Sequence, residues 1–497
     1  MRINESCQIV FWRKMYKYKT KPYEHQEKIF ADSWCRKYFG LFMEMGTGKS
    51  KVAIDTMGRL FLEDKIKACL ILAPKGVFDN WVMNEIPRHL PSDINVKVVR
   101  WQTNHTKSFM SDLEKLILPD MQENNTLQVF VMNVEGLSTT KAFSFAKLFL
   151  NKNPDSIMIV DESTTIKNRS AKRTKNVVEL GRLALFRRIL TGSPITKSPM
   201  DLFSQCMFLS PNALGFKSYY AFQGRYAVVI NKTMGHRSFR DIVGYQRLDE
   251  LNGKLDKFSS RVLKNECLDL PEKVYVRRDI ELTTEQTSAY QQMKRLALTE
   301  LDQGRLASTQ SVLTQIMRLQ QICCGFLKLD DGEIKDLPNN RLNELLSVIE
   351  ETTGKVIIWA TWTHDIQAIE KLLIKNFGED SVATYYGETP QDRRQEIVQK
   401  FQDKNDKLRF FVGQPKTGGF GITLTEASTV VYYSNSYDLE IRLQSEDRAH
   451  RIGQQNKVTY IDIVVPRTID EKILKALKNK INIAEKVLGE DARQWLI

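Results

Sequence analysis

Three short stretches of this chain carry residue types that could move a phosphoryl group. In MGTGKS (45–50), successive backbone N–H groups of Gly46, Thr47 and Gly48 could cradle phosphate oxygens, helped by the positive end of a following helix. Lys49 could reach the β- and γ-phosphates, and the Ser50 hydroxyl could ligate magnesium. The strict GxxxxGK(S/T) spacing asks for glycine at the position of Met43, so the stretch alone also fits a Gly-rich turn that merely caps a helix. SIMIVDES (156–163) is a buried-type strand ending in adjacent acids. Asp161, at its carboxyl end, is placed to hold magnesium, and Glu162 to orient and deprotonate an attacking water. Two acids solvated at a strand end are common, but downstream of GTGKS they read as part of a P-loop site that hydrolyses ATP with Mg2+. LQSEDRAHRIGQ (443–454) offers Arg448 and Arg451, three apart and so on one face of a helix, with planar forks that suit phosphate oxygens. On their own they read as a solvated helical face. They lie roughly 400 residues from Lys49, so their use in catalysis requires two parts of the chain to close on the nucleotide.

Regular elements must hold these residues in place, and two regions supply them. In the first, candidate strands ACLILA (68–73), QVFVM (128–132), SIMIV (156–160) and RRIL (187–190) alternate with helical segments such as 49–62 and 171–183. In the second, KVIIW (355–359), SVATYY (381–386), RFFV (409–412), TVVYY (429–433) and VTYIDIVV (458–465) alternate with helices near 341–351, 363–376 and 390–402. Short β-branched runs alternating with helical periodicity predict parallel sheets, so both regions read as doubly wound α/β domains. Between them, over roughly 200–335, strand signals thin out and helical patterns dominate, notably TEQTSAYQQMKRLALTEL and LTQIMRLQQICCGF.

The chain has 497 residues, 42% hydrophobic and 27% charged, with 73 Lys plus Arg against 60 Asp plus Glu. That composition is neither a disordered tail nor a membrane protein. The longest apolar stretch, Ala68 to Pro74, falls far short of the roughly 18 residues of a membrane span. The N-terminal MRINESCQIVFWRKM has no sustained apolar segment of the secretory kind. Cysteines and histidines show no zinc-ligand spacing. The net charge of +13 points to a polyanionic partner, most often nucleic acid, with simple solubility as the plainer reading.

Taken in order, the motifs resemble the Swi/Snf-type branch of superfamily-two helicases across nearly the whole chain. PYEHQ (22–26) is similar to that family's adenine-reading Gln motif, with Gln26 as the matching residue. MGTGKS, ILAPKGVFDNW (71–81), VFVMNVEGL (129–137), DESTTIKNRSAKRTK (161–175) and LTGSPI (190–195) resemble the successive motifs of the first lobe. RVLKNECLDLPEKVYVRRDIELTTEQTSAYQQM (261–293) resembles the bridge into the second, and YGETPQDRRQEIVQKF (386–401) with 412–464, including RAHRIGQ, matches the second lobe. RAHRIGQ is a highly specific tag for the family. Thr164 departs from the small residue or histidine usual in the fourth position of the acidic box, and so opens the question of how hydrolysis is signalled through Thr191 and Ser193.

The resemblance implies an α/β fold of two RecA-like parallel-sheet P-loop lobes with helical insertions. An ATP-binding lobe would cover 1–200, helical insertions and an inter-lobe bridge 201–340, and a second lobe with a C-terminal helix 341–497. It implies ATP and Mg2+ as cofactors, with Gln444 joining Gln26, Gly46, Thr47, Gly48, Lys49 and Ser50 at the nucleotide. It implies double-stranded DNA, forked or branched, as partner, gripped mostly through phosphates, with Lys75, Trp81, Thr191, Thr417 and Gly418 as candidate contacts. From the residues alone, Trp81 fits core packing equally well, and Gly418, Gly419 and Gly421 could only shape a turn. FWRKMYKYKTK (11–21) interleaves aromatic and basic residues and suits nucleic-acid contact, adenine stacking or a solvated edge strand. Because the motifs fill the length, the expectation is a minimal, monomeric motor of a bacterium or DNA virus, acting in the cytoplasm and without a membrane. Its expected work is ATP-driven translocation that unwinds or branch-migrates DNA in replication, recombination or repair. The alternatives are displacement of DNA-bound protein without strand separation, and a nucleotide-gated DNA-binding module that does not turn over.

Overall fold

A computed structural model of the chain describes residues 16–75, 77–104, 106–117, 125–234, 237–267, 270–302, 309–329, 331–418 and 422–488. The described residues fall into two compact units, one drawn mainly from residues up to 267 and the other mainly from 270 to 482.

The first unit is organised by a parallel seven-stranded sheet. Its strands are β1 (Tyr38–Met43), β2 (Ala68–Ala73), β3 (Asn95–Arg100), β4 (Thr126–Asn133), β5 (Ser156–Asp161), β6 (Phe186–Leu190) and, after a two-stranded ribbon of β7 (Ala227–Met234) and β8 (Arg237–Tyr245), β9 (Ser259–Val262). They run side by side as β3-β4-β2-β5-β6-β1-β9. Alternate side chains of one strand enter opposite layers of core. Leu70, Leu72, Met158 and Val160 pack on one face, while Cys69, Ile71, Ile157 and Ile159 pack on the other. Continuous apolar runs such as ACLILA are what a parallel strand covered on both faces requires. Because the strands are parallel, the carboxyl ends of β1, β5 and β6 share one sheet edge; register pairs Leu41 with Leu190, and Asp161 with Leu190.

In the second unit, β10 (Lys273–Asp279), β13 (Lys355–Trp359), β14 (Val382–Tyr385), β15 (Phe410–Gly413), β16 (Ala427–Tyr432) and β17 (Val458–Val464) form a parallel sheet in the order β10-β17-β16-β13-β15-β14. A small antiparallel pair, β11 (Phe326–Lys328) and β12 (Ile334–Asp336), stands apart from it. Both sheets are the α/β architecture expected from the sequence.

The region between the expected lobes holds the two helices read from its sequence, Thr284–Asp302 and Thr309–Cys324, but it also holds strands that were not expected. Strands β7 to β12 all lie within 227–336; β9 closes the first sheet beside β1, and β10 closes the second beside β17. The first unit therefore extends past residue 200 and the second begins well before 341. Both closing strands are edge strands, and SSRV and KVYVRRD carry the polar residues that a half-solvated edge tolerates, which hides them from a search for apolar runs. Of the N-terminal aromatic–basic run, residues 11–15 lie outside the described residues, while Tyr16 and Tyr18 pack edge-on to each other and against Phe30. Gly419 and Gly421 also lie outside the described residues. Among the described residues, no helix is long and apolar enough to cross a membrane.

One buried carboxyl in the second unit makes stability depend on pH. Asp365, in helix Thr363–Phe377, is 1% exposed. Burial pushes its pKa up to about 8, although Arg341 and hydrogen bonds with Cys324 and Ser434 pull it down. The unfolded value is about 4, so between those values the folded chain keeps a proton that the unfolded chain releases. The resulting stability is full below the unfolded pKa and is lost as pH rises toward about 8. Asp365→Asn is expected to flatten the fall in melting temperature between about pH 5 and about pH 9 and to be the more stable protein at the upper end. Equal slopes in variant and wild type would contradict this.

Candidate nucleotide-hydrolysis site

At the carboxyl edge of the first sheet, β1 ends at Met43 and the chain turns through 44–48 into helix Lys49–Leu62. Met43 is fully buried in the core beneath the turn. The turn itself depends on Gly46 (φ 84°) and Gly48 (φ 90°), in the left-handed region that side chains resist. Gln26 sits directly against it. Its Nε2 donates to the Thr47 carbonyl at 3.0 Å, and a Cβ at position 48 would meet that nitrogen at 2.2 Å. His25 reaches the same carbonyl at 2.8 Å. The Thr47 hydroxyl donates to the Glu44 carbonyl at 2.7 Å. Lys49 is buried and Ser50 half-buried at the first turn of the helix.

The two acids stand at the end of β5. Asp161 is 6% exposed and Glu162 8%. The indole N–H of Trp81 donates to Asp161 Oδ2 at 2.8 Å, and the Glu162 amide donates to Asp161 Oδ1 at 3.0 Å. Burial raises the Asp161 pKa, while the Trp81 hydrogen bond and the Lys49 charge oppose that rise. Glu162 has φ 46° and ψ 63°, a conformation that costs about 1–3 kcal/mol for a residue with a side chain and persists only where its surroundings enforce it. The Thr191 hydroxyl, at the end of β6, lies 3.5 Å from Glu162 Oε2. Gly192 lets this loop close on the 44–48 turn, since a Cβ there would come within 3.2 Å of the Met45 amide nitrogen. Arg261 of β9 ties the two together, donating to the carbonyls of Gly192 at 2.7 Å and Phe42 at 3.2 Å.

Trp81, Thr191 and Gly418, expected as candidate DNA contacts, are buried. Trp81 and Thr191 are both 0% exposed; the first holds Asp161 and the second turns to Glu162. Gly418 is buried too, and a Cβ there would run into Trp359 at 2.6 Å. Lys75 is exposed and Thr417 half-buried.

In the second unit, Arg448 and Arg451 do not share a helical face. Helix Leu439–Glu446 ends before them, and both lie in the turns that follow. Arg448 Nε donates back to the Gln444 carbonyl at 2.9 Å, and His450 Nε2 lies 2.7 Å from the Pro271 carbonyl. The arginines still converge, because Nη1 of each reaches the Ile422 carbonyl, at 3.0 Å and 3.4 Å. Arg451 also donates to Thr423 Oγ1 at 2.9 Å. Gln444 is buried, with its Oε1 lacking a hydrogen-bond partner.

Sequence reading missed several residues that build the first-unit site. Trp81 appeared as a DNA contact or core packing, not as the donor to Asp161. Arg261 lies within the 261–293 bridge motif, whose sequence gives no sign that it reaches back to β1.

The SNF2-related domain model matches residues 28–326 and the helicase conserved C-terminal domain model matches 339–453. This chain belongs to the SNF2-related family. An uncharacterized ATP-dependent helicase of Mycoplasma genitalium is 27% identical over 454 residues, covering 90% of this chain and 40% of that protein. The DNA annealing helicase and endonuclease ZRANB3 of Bos taurus is 27% identical over 454 residues, covering 90% and 38%. This SNF2-related chain thus spans less than half the length of either relative. The Sulfolobus solfataricus SWI2/SNF2 ATPase core in complex with dsDNA aligns over 98% of this chain and 97% of its own, at 22% identity and a TM-score of 0.42.

Trp81→Phe keeps an aromatic ring and removes the donor to Asp161. The expected result is a several-fold rise in the Mg2+ concentration that half-saturates ATP hydrolysis, with a melting-temperature loss matching about 1–2 kcal/mol. An unchanged Mg2+ titration would show that the indole does not set the carboxylate.

Proposed function

We propose that this SNF2-related chain is an ATP-dependent DNA motor that moves along duplex DNA and remodels or unwinds forked or branched structures. The observation that carries the reading is the pairing of a glycine-shaped turn and Lys49 with the buried Asp161 and Glu162 at one sheet edge. The backbone of Gly46 to Gly48 and the Lys49 ammonium bind the triphosphate, and Gln26, against the turn, reads the base. Magnesium fits the donor set: Ser50 and Asp161 are hard oxygen ligands, Asp161 is held by two N–H groups, and the metal would supply charge neutralisation at the phosphates. Glu162 orients and deprotonates the attacking water. Arg448 and Arg451, brought to the nucleotide during turnover, neutralise charge on the transferring group, and Gln444 joins them.

Duplex DNA as the track is supported by the +13 net charge and by the exposed Lys75, Arg169, Lys172, Lys175 and Lys197 on segments that flank the carboxylates. Contacts of that kind go to phosphates and make binding salt-sensitive and sequence-tolerant. Thr417 remains a candidate contact in the second unit.

ATP turnover measured without DNA and with single strands, duplex and forks tests the reading. Stimulation by duplex or fork is the expected result, and failure of every DNA form to stimulate would overturn it. Strand release from a fork then separates unwinding from bare translocation. Lys49→Ala is expected to weaken nucleotide use, and Glu162→Gln to abolish turnover while ATP binding persists. Arg451→Ala is expected to lower kcat by about ten-fold or more with little change in ATP affinity; a pure loss of affinity would count against the arginine's role at the transition state.

A further inference from the structure

One polar link beside the carboxylates has no part in the chemistry above. Ser163, directly after Glu162, donates its hydroxyl to Gln205 Oε1 at 2.6 Å. Gln205 Nε2 donates in turn to the Pro194 carbonyl at 2.8 Å and the Asp201 carbonyl at 2.9 Å. Both side chains are 0% exposed. Gln205 belongs to helix Leu202–Leu209, where Leu202, Phe203, Cys206, Phe208 and Leu209 supply apolar packing. Packing alone would be served by another aliphatic side chain, and an amide in such a place is tolerated only because its polar atoms are bonded.

The link joins three points that bear on Glu162. The first is the residue next to it, whose backbone follows the left-handed Glu162. The second is the loop that starts at Thr191 and continues through Pro194. The third is the helix itself, whose leading Asp201 accepts hydrogen bonds from the amides of Thr196 at 3.0 Å and Lys197 at 2.7 Å. Lys167 adds a parallel tie to the same loop, donating to Thr196 Oγ1 at 2.7 Å. The segment carrying the carboxylates is thereby stitched to the loop that presents Thr191.

We propose that Gln205 is a positioning residue for ATP hydrolysis. Through Ser163 it holds the Glu162 backbone in register with the 191–196 loop, so that the carboxylate faces the attacking water. The effect of Gln205 passes through Ser163. The assignment rests on the reading of Glu162 as the base.

The test compares steady-state ATP hydrolysis, at saturating duplex DNA, and melting temperature for wild type, Ser163→Ala, Ser163→Thr, Gln205→Leu and the Ser163→Ala/Gln205→Leu double variant. Ser163→Ala and Gln205→Leu are expected to lower kcat by about ten-fold with the KM for ATP within about two-fold. Ser163→Thr keeps the hydroxyl and should retain most of the wild-type kcat. The double variant should be no slower than Gln205→Leu, because both changes break the same link. A rise in KM at constant kcat, independent multiplying losses in the double variant, equal losses in Ser163→Thr and Ser163→Ala, or kcat values that simply track melting temperature would each overturn the proposal. A wild-type chain that does not hydrolyse ATP would overturn the Glu162 reading and this assignment with it. An active wild type whose variants keep full kcat would overturn the Gln205 assignment alone.

Discussion

A carboxylate held in the interior at the end of a strand is the constraint on which the first unit depends. Asp161 is 6% exposed, and a buried charge is costly unless it is paired and hydrogen-bonded. The Trp81 indole, the Glu162 amide and the Lys49 charge meet that need from three different segments. Each segment must therefore arrive at the same sheet edge. Parallel strands ensure it, since β1 delivers the turn before Lys49, β5 delivers the acids and β6 delivers Thr191. The segment after β2 delivers Trp81.

Around that point, the site is braced by contacts that leave little slack. Gln26 fills the space beside Gly48, Gly192 allows the 191–196 loop to approach the 44–48 turn, and Arg261 joins that loop to β1. The strained backbone of Glu162 is held among them. A residue in that conformation is sustained by its surroundings, so distant substitutions in the bracing are expected to act on turnover more than on nucleotide affinity. The second unit repeats the architecture with a different polar interior, in which Arg341 bonds Asp470 and the carbonyls of Tyr433 and Ile463 beneath the strand ends.

Much of this was legible in the sequence, for a physical reason. Strands covered on both faces must be continuously apolar, so ACLILA, SIMIV and KVIIW stand out, and the glycines of MGTGKS and the acids of VDES mark where they end. The edge strands β9 and β10 were not legible, because an edge carries polar side chains. The helical placing of Arg448 and Arg451 failed because spacing by three implies a shared face only while the helix continues, and here side-chain bonds to Gln444 and Pro271 accompany its end. Trp81 illustrates a third limit. A buried indole and a DNA-facing indole have the same sequence signature, and only the 2.8 Å contact with Asp161 separates them.

The most direct test of this account is a crystal structure of the chain with magnesium and a non-hydrolysable ATP analogue. The account predicts the triphosphate on the backbone of residues 46–50 beside Lys49, with the metal between Ser50 and Asp161 and the Trp81 indole still on the Asp161 carboxylate. A nucleotide bound elsewhere, or a metal that leaves Asp161 untouched, would contradict it.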